Sequence, residues 1–145
     1  MELLDAHGLW GIPYGHFGDG CLHMRVDFPL EDPNGRQLMR DFMVAATKLV
    51  ARYGGSVSGE HGDGRARSEL LRLMYPPAVL ELFSQVKDLF DPQHLLNPGV
   101  IVDPDGFDES LRLTQLPLRE VLPGELAMAY QGEADGFASA VHRCT

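Results

Sequence analysis

Polar and apolar residues first alternate along the chain with a period of two. Trp10, Ile12 and Tyr14 precede Gly18-Asp19-Gly20, and Leu22, Met24 and Val26 follow it, which is the pattern of two paired, half-buried strands. Asp-Gly between such runs predicts a β-hairpin over Leu9 to Phe28 with a two-residue type I′ loop at Asp19-Gly20. That loop sets His16 opposite His23. Pro29, Pro33 and Asn34-Gly35 mark a connecting loop. From Arg36 to Tyr53 the period changes, because Leu38, Phe42, Ala45, Leu49 and Tyr53 recur every three or four residues with charges between them. An amphipathic helix capped by Gly54-Gly55 follows from that spacing. Ser56-Val57-Ser58 reads as a short strand, and Gly64 or Arg65 to Leu73 as a polar helix. Pro76-Pro77 opens another helix, with Val79, Leu82, Phe83, Val86 and Phe90 as its apolar face and Asp91-Pro92 as its stop. Val100-Ile101-Val102 is a candidate strand. Beyond it, Pro104, Gly106, Pro117, Pro123 and Gly124 predict an extended, irregular tail over residues 103–145.

These elements define an α+β fold, an antiparallel sheet with helices packed on it, in residues 1–102. The length of 145 residues suits one core. Twelve Lys+Arg against 21 Asp+Glu give a formal charge of −9, which argues against nucleic acid as a partner because phosphate binding needs clustered cations. No apolar run approaches the roughly 20 residues of a membrane helix, and Met1 to Trp10 lacks the basic start and apolar stretch of a signal peptide, so the expected location is the cytoplasm. Cys21 and Cys144 are the only cysteines; two so far apart make no disulfide framework.

The candidate chemistry lies in the hairpin and in the glycine-rich segment Gly59 to Gly64. Two imidazoles on one face of a strand pair can reach a single metal ion at Zn–N distances of about 2.1 Å; equally, His16 and His23 can be half-buried sheet residues bonded to backbone. Glu60 is the candidate third ligand, at a point where flanking glycines let the chain bend; alternatively it is a carboxylate placed near a helix N-terminus by the dipole. His61 follows it and, if the Gly59 and Gly62 bends re-aim the two side chains, faces the reacting molecule. Gly62 to Gly64 is no P-loop, since Asp63 sits among the donors and no Lys-Ser/Thr pair follows. Asp19 and Asp63 serve the turns or orient a histidine ring.

Three strings carry a resemblance: Tyr14-Gly15-His16-Phe17-Gly18-Asp19-Gly20-Cys21-Leu22-His23, Ser58-Gly59-Glu60-His61-Gly62, and Asp91-Pro92-Gln93-His94-Leu95-Leu96-Asn97-Pro98-Gly99. In this order they resemble the C-terminal, substrate-covering part of FAD-linked oxidases of the vanillyl-alcohol-oxidase type, which include D-lactate and D-2-hydroxyglutarate dehydrogenases and the glycolate oxidase flavoprotein subunit. The resemblance implies a portion of a ferredoxin-like cap domain. It implies that His16, His23 and Glu60 hold a divalent metal, usually zinc, that His61 takes the proton of the substrate hydroxyl, and that the Asn97 segment approaches the flavin. It departs from the family at Cys21, where Asn is usual, and at Arg25, where some members have a substrate-touching Asn; the planar fork of Arg25 is suited to a substrate carboxylate.

The FAD-binding domain of such proteins lies N-terminal to these motifs, so the chain is expected to be a fragment, silent by itself, that partners that domain and acts on a small 2-hydroxy acid. His142-Arg143-Cys144-Thr145 resembles the point where fused members begin an iron–sulfur domain, which would be a further partner. Surface that would meet a missing domain predicts self-association of the isolated chain. Two other readings use the same residues: a small zinc-dependent hydrolase with His61 as general base, and a non-catalytic docking module.

Overall fold

A computed structural model describes residues 1–111 of the chain. The architecture is α+β, a two-stranded antiparallel sheet accompanied by four helices. Helix α1 (Glu2–Ala6) precedes the hairpin, where no element was expected, and its Leu4 carbonyl accepts the amide hydrogens of His7 and Leu9 as the chain turns into strand β1. Strands β1 (Gly11–His16) and β2 (Cys21–Val26) form the hairpin that the alternation predicts.

The register of the hairpin differs from expectation. His16 pairs with Cys21 and Tyr14 with His23, because the connection is a four-residue loop: a 3-10 turn over Phe17–Asp19 closed by Gly20 at φ 71°. Asp19 has no positive φ, so the type I′ loop, which needs one at both central positions, does not form. The slip is two residues, the side-chain period of a strand, so each residue keeps its face. Ile12, Tyr14, His16, Cys21, His23 and Arg25 share one face of the sheet.

Helix α2 (Gly35–Arg52) matches its predicted span and ends as its glycines foretell: Gly54 takes φ 73°, its amide donates to Ala51 O, and Gly55 N–H donates to Val50 O. Leu4, Leu9 and Phe42 form the main core, flanked by Val26, Phe28 and Met43. Rings of His7 and Phe28 meet Phe42 edge-on at 5.5 and 5.6 Å. This small core joins α1, the base of the hairpin and α2. Leu49 and Tyr53, counted in the apolar stripe, remain exposed.

The polar helix is α3 (Gly64–Arg67), continuing as a 3-10 segment over Ser68–Leu73 that buries Leu70 and Leu71. Helix α4 (Pro77–Phe90) begins with Pro77 in its first turn and stops before Asp91-Pro92. Its Leu82, Val86, Leu89 and Phe90 are exposed. Among the described residues no helix is long and apolar enough to cross a membrane.

Two expected strands are absent. Residues 56–58 run into a turn in which Ser58 N–H donates to Ser56 Oγ and Val57 N–H meets Met74 Sδ. Residues 100–102 are a bend with Ile101 at φ 65°, its amide donating to Ser68 Oγ at 2.9 Å. Neither run has a strand to pair with among the described residues, and Val57 and Ile101 are bonded instead to Met74 and Ser68, distant in sequence.

Residues 103–111 are irregular, yet 105–108 are fastened. Arg36 and Arg40 both bond the buried Asp108, Arg40 also reaches Glu69 and covers the Phe107 ring, and Arg65 meets Asp105 at 2.8 Å. Burial by itself pushes the Asp108 carboxyl up, but the Arg36 hydrogen bond and the charges of Arg40 and Arg36 outweigh it and hold the pKa below its ordinary value. The remainder of the expected tail, residues 112–145 with Cys144, lies outside the described residues.

Candidate metal centre on the hairpin

His16 ends β1 and His23 lies inside β2, on the same face and diagonal to each other, with ring centroids 6.0 Å apart. Glu60 arrives from the turn before α3. That turn is held by Val57 against Met74, by the Ser58 hydroxyl bonded to Asp63, and by Arg67 donating to Gly62 O at 3.2 Å. Cys21, opposite His16, turns its thiol toward Gly59 O at 3.8 Å, so strand β2 touches the same turn. Asp63 therefore serves the turn rather than a histidine ring.

The carboxylate of Glu60 is shared among imidazoles. His23 Nε2 lies 2.6 Å from one oxygen and His61 Nε2 3.8 Å from that same oxygen, while His16 Nε2 lies 3.6 Å from the other. No lysine or arginine pairs with it among the described residues. The hydrogen bond from His23 lowers the Glu60 pKa from its ordinary value; desolvation opposes it, and the charges of His16, His23 and His61 add to the lowering. Glu60 is thus an acceptor-only anion at neutral pH.

Ligand atoms of His16, His23 and Glu60 all lie within 4.8 Å of one another. Two imidazoles and one carboxylate are the donor set of divalent-metal sites that keep positions open for a reactant. The three residues fit a divalent cation, which would take the place of the proton between His23 and Glu60. His61 lies beside this cluster, its ring 5.6 Å from that of His23 and its side chain exposed.

Arg25 is on the same face, paired with Ile12, exposed and with no ion pair among the described residues. Asn97 is not part of the cluster. It stands exposed at φ 46° in the segment after α4, where Asp91 accepts the amides of Leu95 and Leu96 at 3.0 and 2.9 Å and Lys87 bonds both Asp91 and Leu96 O. Lys87 and the two amides push the Asp91 pKa down to about 2. Sequence reasoning missed Tyr14, whose ring stacks on His23 at 5.0 Å and 14°. Its signal was its position two residues before His16, on the face that carries the histidines.

Residues 1–101 match the family model described as FAD linked oxidases, C-terminal domain. The chain is 35% identical to D-2-hydroxyglutarate dehydrogenase of Escherichia coli strain K12 over 139 residues, covering 92% of this chain and 13% of that protein. It is 38% identical to D-lactate dehydrogenase of Archaeoglobus fulgidus over 101 residues, 70% of this chain and 22% of that protein. An uncharacterized FAD-linked oxidoreductase of Mycobacterium tuberculosis strain H37Rv is 40% identical over 88 residues, 60% of this chain and 18% of that one. The chain thus spans about a tenth to a fifth of the length of these relatives. No solved structure matches it.

Proposed function

The chain belongs to the family of FAD linked oxidases, C-terminal domain, and from that premise we propose that it is the substrate-handling part of an FAD-dependent dehydrogenase acting on a D-2-hydroxy acid. The lactate, glycolate or 2-hydroxyglutarate class of substrate is supported by the relatives named D-2-hydroxyglutarate and D-lactate dehydrogenases. The observation that carries the reading is the convergence of His16, His23 and Glu60 beside His61.

In this reading His16, His23 and Glu60 hold a divalent metal, zinc by resemblance. A cation bound there supplies Lewis acidity toward the substrate hydroxyl, and FAD supplies the hydride acceptor. The chain's own residues do the rest. Glu60 gives the charge that retains the cation. His61, exposed and beside the ligands, takes the hydroxyl proton, a role that imidazole suits near neutral pH. Arg25, on the same face and without an ion pair among the described residues, pairs with the substrate carboxylate. Asn97 makes no hydrogen bond among the described residues and is displayed by the Asp91–Lys87 bracket, as a residue that meets a cofactor from another domain would be.

The isolated chain should not turn over a 2-hydroxy acid. Elemental analysis of chain purified without a histidine tag tests the reading: about one metal per chain in the wild type, and none in His16→Ala or Glu60→Gln, is the expected result. Metal retained equally in the variants would contradict it.

A further inference from the structure

Three histidines surround Glu60, but they are not held alike. The side chain of His23 is 23% exposed, against 58% for His16 and 66% for His61. What encloses His23 is its partner strand. Tyr14, directly opposite, lays its ring on the imidazole. Gly15 leaves the space beside it: at φ 128°, a Cβ there would stand 2.6 Å from His23 Cδ2 and 3.1 Å from its backbone nitrogen. Only a residue without a side chain fits that slot.

A histidine that binds metal is ordinarily oriented by a hydrogen bond from its other ring nitrogen to a carboxylate, a carbonyl or water. His23 uses Nε2 toward Glu60, and its Nδ1 has no partner among the described residues. Rotation about its χ2 is broad and roughly two-fold, so an unsupported ring would turn its nitrogens away. Tyr14 is itself half-exposed and its hydroxyl bonds nothing among the described residues. Burial does not account for a tyrosine at this position; contact with His23 does.

We infer that Tyr14 and Gly15 are positioning residues that form a seat for the His23 ring, making His23 with Glu60 the preformed anchor of the cation site, which the more exposed His16 then closes. The inference rests on the cation reading above and goes beyond it in assigning how the site is prepared. Stacking supplies the orientation that a hydrogen bond to Nδ1, not found among the described residues, would otherwise give, so the aromatic ring, and not the hydroxyl, is the working part of Tyr14.

Zinc titration of the 145-residue chain against a chromogenic chelator, with cobalt absorption as a second readout of ligand geometry, tests this. The expected result is one zinc per chain, loss of binding in His23→Ala, a dissociation constant raised about tenfold in Tyr14→Leu, and wild-type behaviour in Tyr14→Phe. The cobalt spectrum should change in Tyr14→Leu and not in Tyr14→Phe. Circular dichroism melting of each variant separates a lost fold from a lost seat, since an exposed Tyr14→Leu change should leave the melt in place. Wild-type affinity in Tyr14→Leu would overturn the seat and leave the cation reading standing. Equal weakening in both Tyr14 variants would overturn the stacking account in favour of the hydroxyl. No zinc bound by the wild type would overturn the cation reading, and the seat with it.

Discussion

The hairpin and the body formed by α2, the 3-10 segment and residues 105–108 are built on opposite principles. The body covers and pairs its acids: Asp108 is buried and bonded by Arg36 and Arg40, and Glu69 takes Arg40 and Arg72. The hairpin and the turn that meets it display theirs, for His16 and Arg25 on the strands and Glu60 and His61 on the turn are open to solvent. A two-stranded sheet buries too little to be stable alone, so the hairpin depends on Leu9 and Val26 at its base, where they join the core of Leu4 and Phe42. Stability resides away from the His16, His23 and Glu60 cluster, and the proposed chemistry sits where little stability is at stake. Precision at the site therefore has to come from local devices: a stacked ring, a glycine slot and a glycine-flanked turn.

Removing the support should damage both regions. Phe42→Ala takes out the ring against which His7 and Phe28 pack, and should cost about 3–4 kcal/mol. Thermal unfolding should show the hairpin melting with α2. A hairpin signal surviving in this variant would break the dependence argued above.

Opening the charge network should cost less. Asp108→Ala leaves Arg40 with Glu69 and Arg36 half-exposed, so about 2 kcal/mol is expected, below the roughly 3–5 of a fully buried pair. Urea unfolding measures it, and the metal content of the folded chain should not change.

A smaller, local effect is expected after α4. Asp91 is ionised more readily in the folded chain than at its ordinary value of 3.8, its pKa lying at about 2. Its contribution is therefore complete above about pH 4 and is lost as the pH falls through 2, the direction for a depressed carboxyl. Amide exchange at Leu95 and Leu96 should be slowed at neutral pH and speeded in Asp91→Asn without a change in global melting. Exchange unaltered by that substitution would remove Asp91 from its role in displaying Asn97.

The least effect on stability should come from the residues most important to the proposed chemistry. His16→Ala and His61→Ala should each shift stability by no more than about 0.5 kcal/mol, while His16→Ala loses the metal. A large destabilisation by either would show that the cluster is a structural brace, and would blur the contrast between the two regions.

Much of this organisation is legible in the residues. The three- and four-residue spacing finds α2 and α4, and Gly54-Gly55 and Asp91-Pro92 find their ends. Periodicity reports which positions are apolar and not which are covered, so Leu49, Tyr53, Leu82 and Val86 were placed on buried faces and stand exposed. The hairpin was legible and its register was not, because Phe17-Gly18-Asp19 forms a 3-10 turn that its composition does not announce. The site survived the slip because two residues restore the face. Val57 and Ile101 read as strand residues by type, yet both are fixed by partners elsewhere, Met74 and Ser68. The Asp108 network escaped for the same reason, since its acids and arginines lie 29 to 72 residues apart and local pattern says nothing about which charges will meet. The structure brings His16, His23 and Glu60 together beside His61; the histidine pair is readable from residue type at short spacing, and Glu60-His61, distant in sequence, from its glycine-flanked string.

The measurement that bears most directly on the account is anomalous scattering at the zinc edge from crystals of the chain grown with zinc. The account predicts one peak within bonding distance of His16, His23 and Glu60, with His61 beside it and unligated. A cluster without a peak, or zinc held elsewhere, would contradict it.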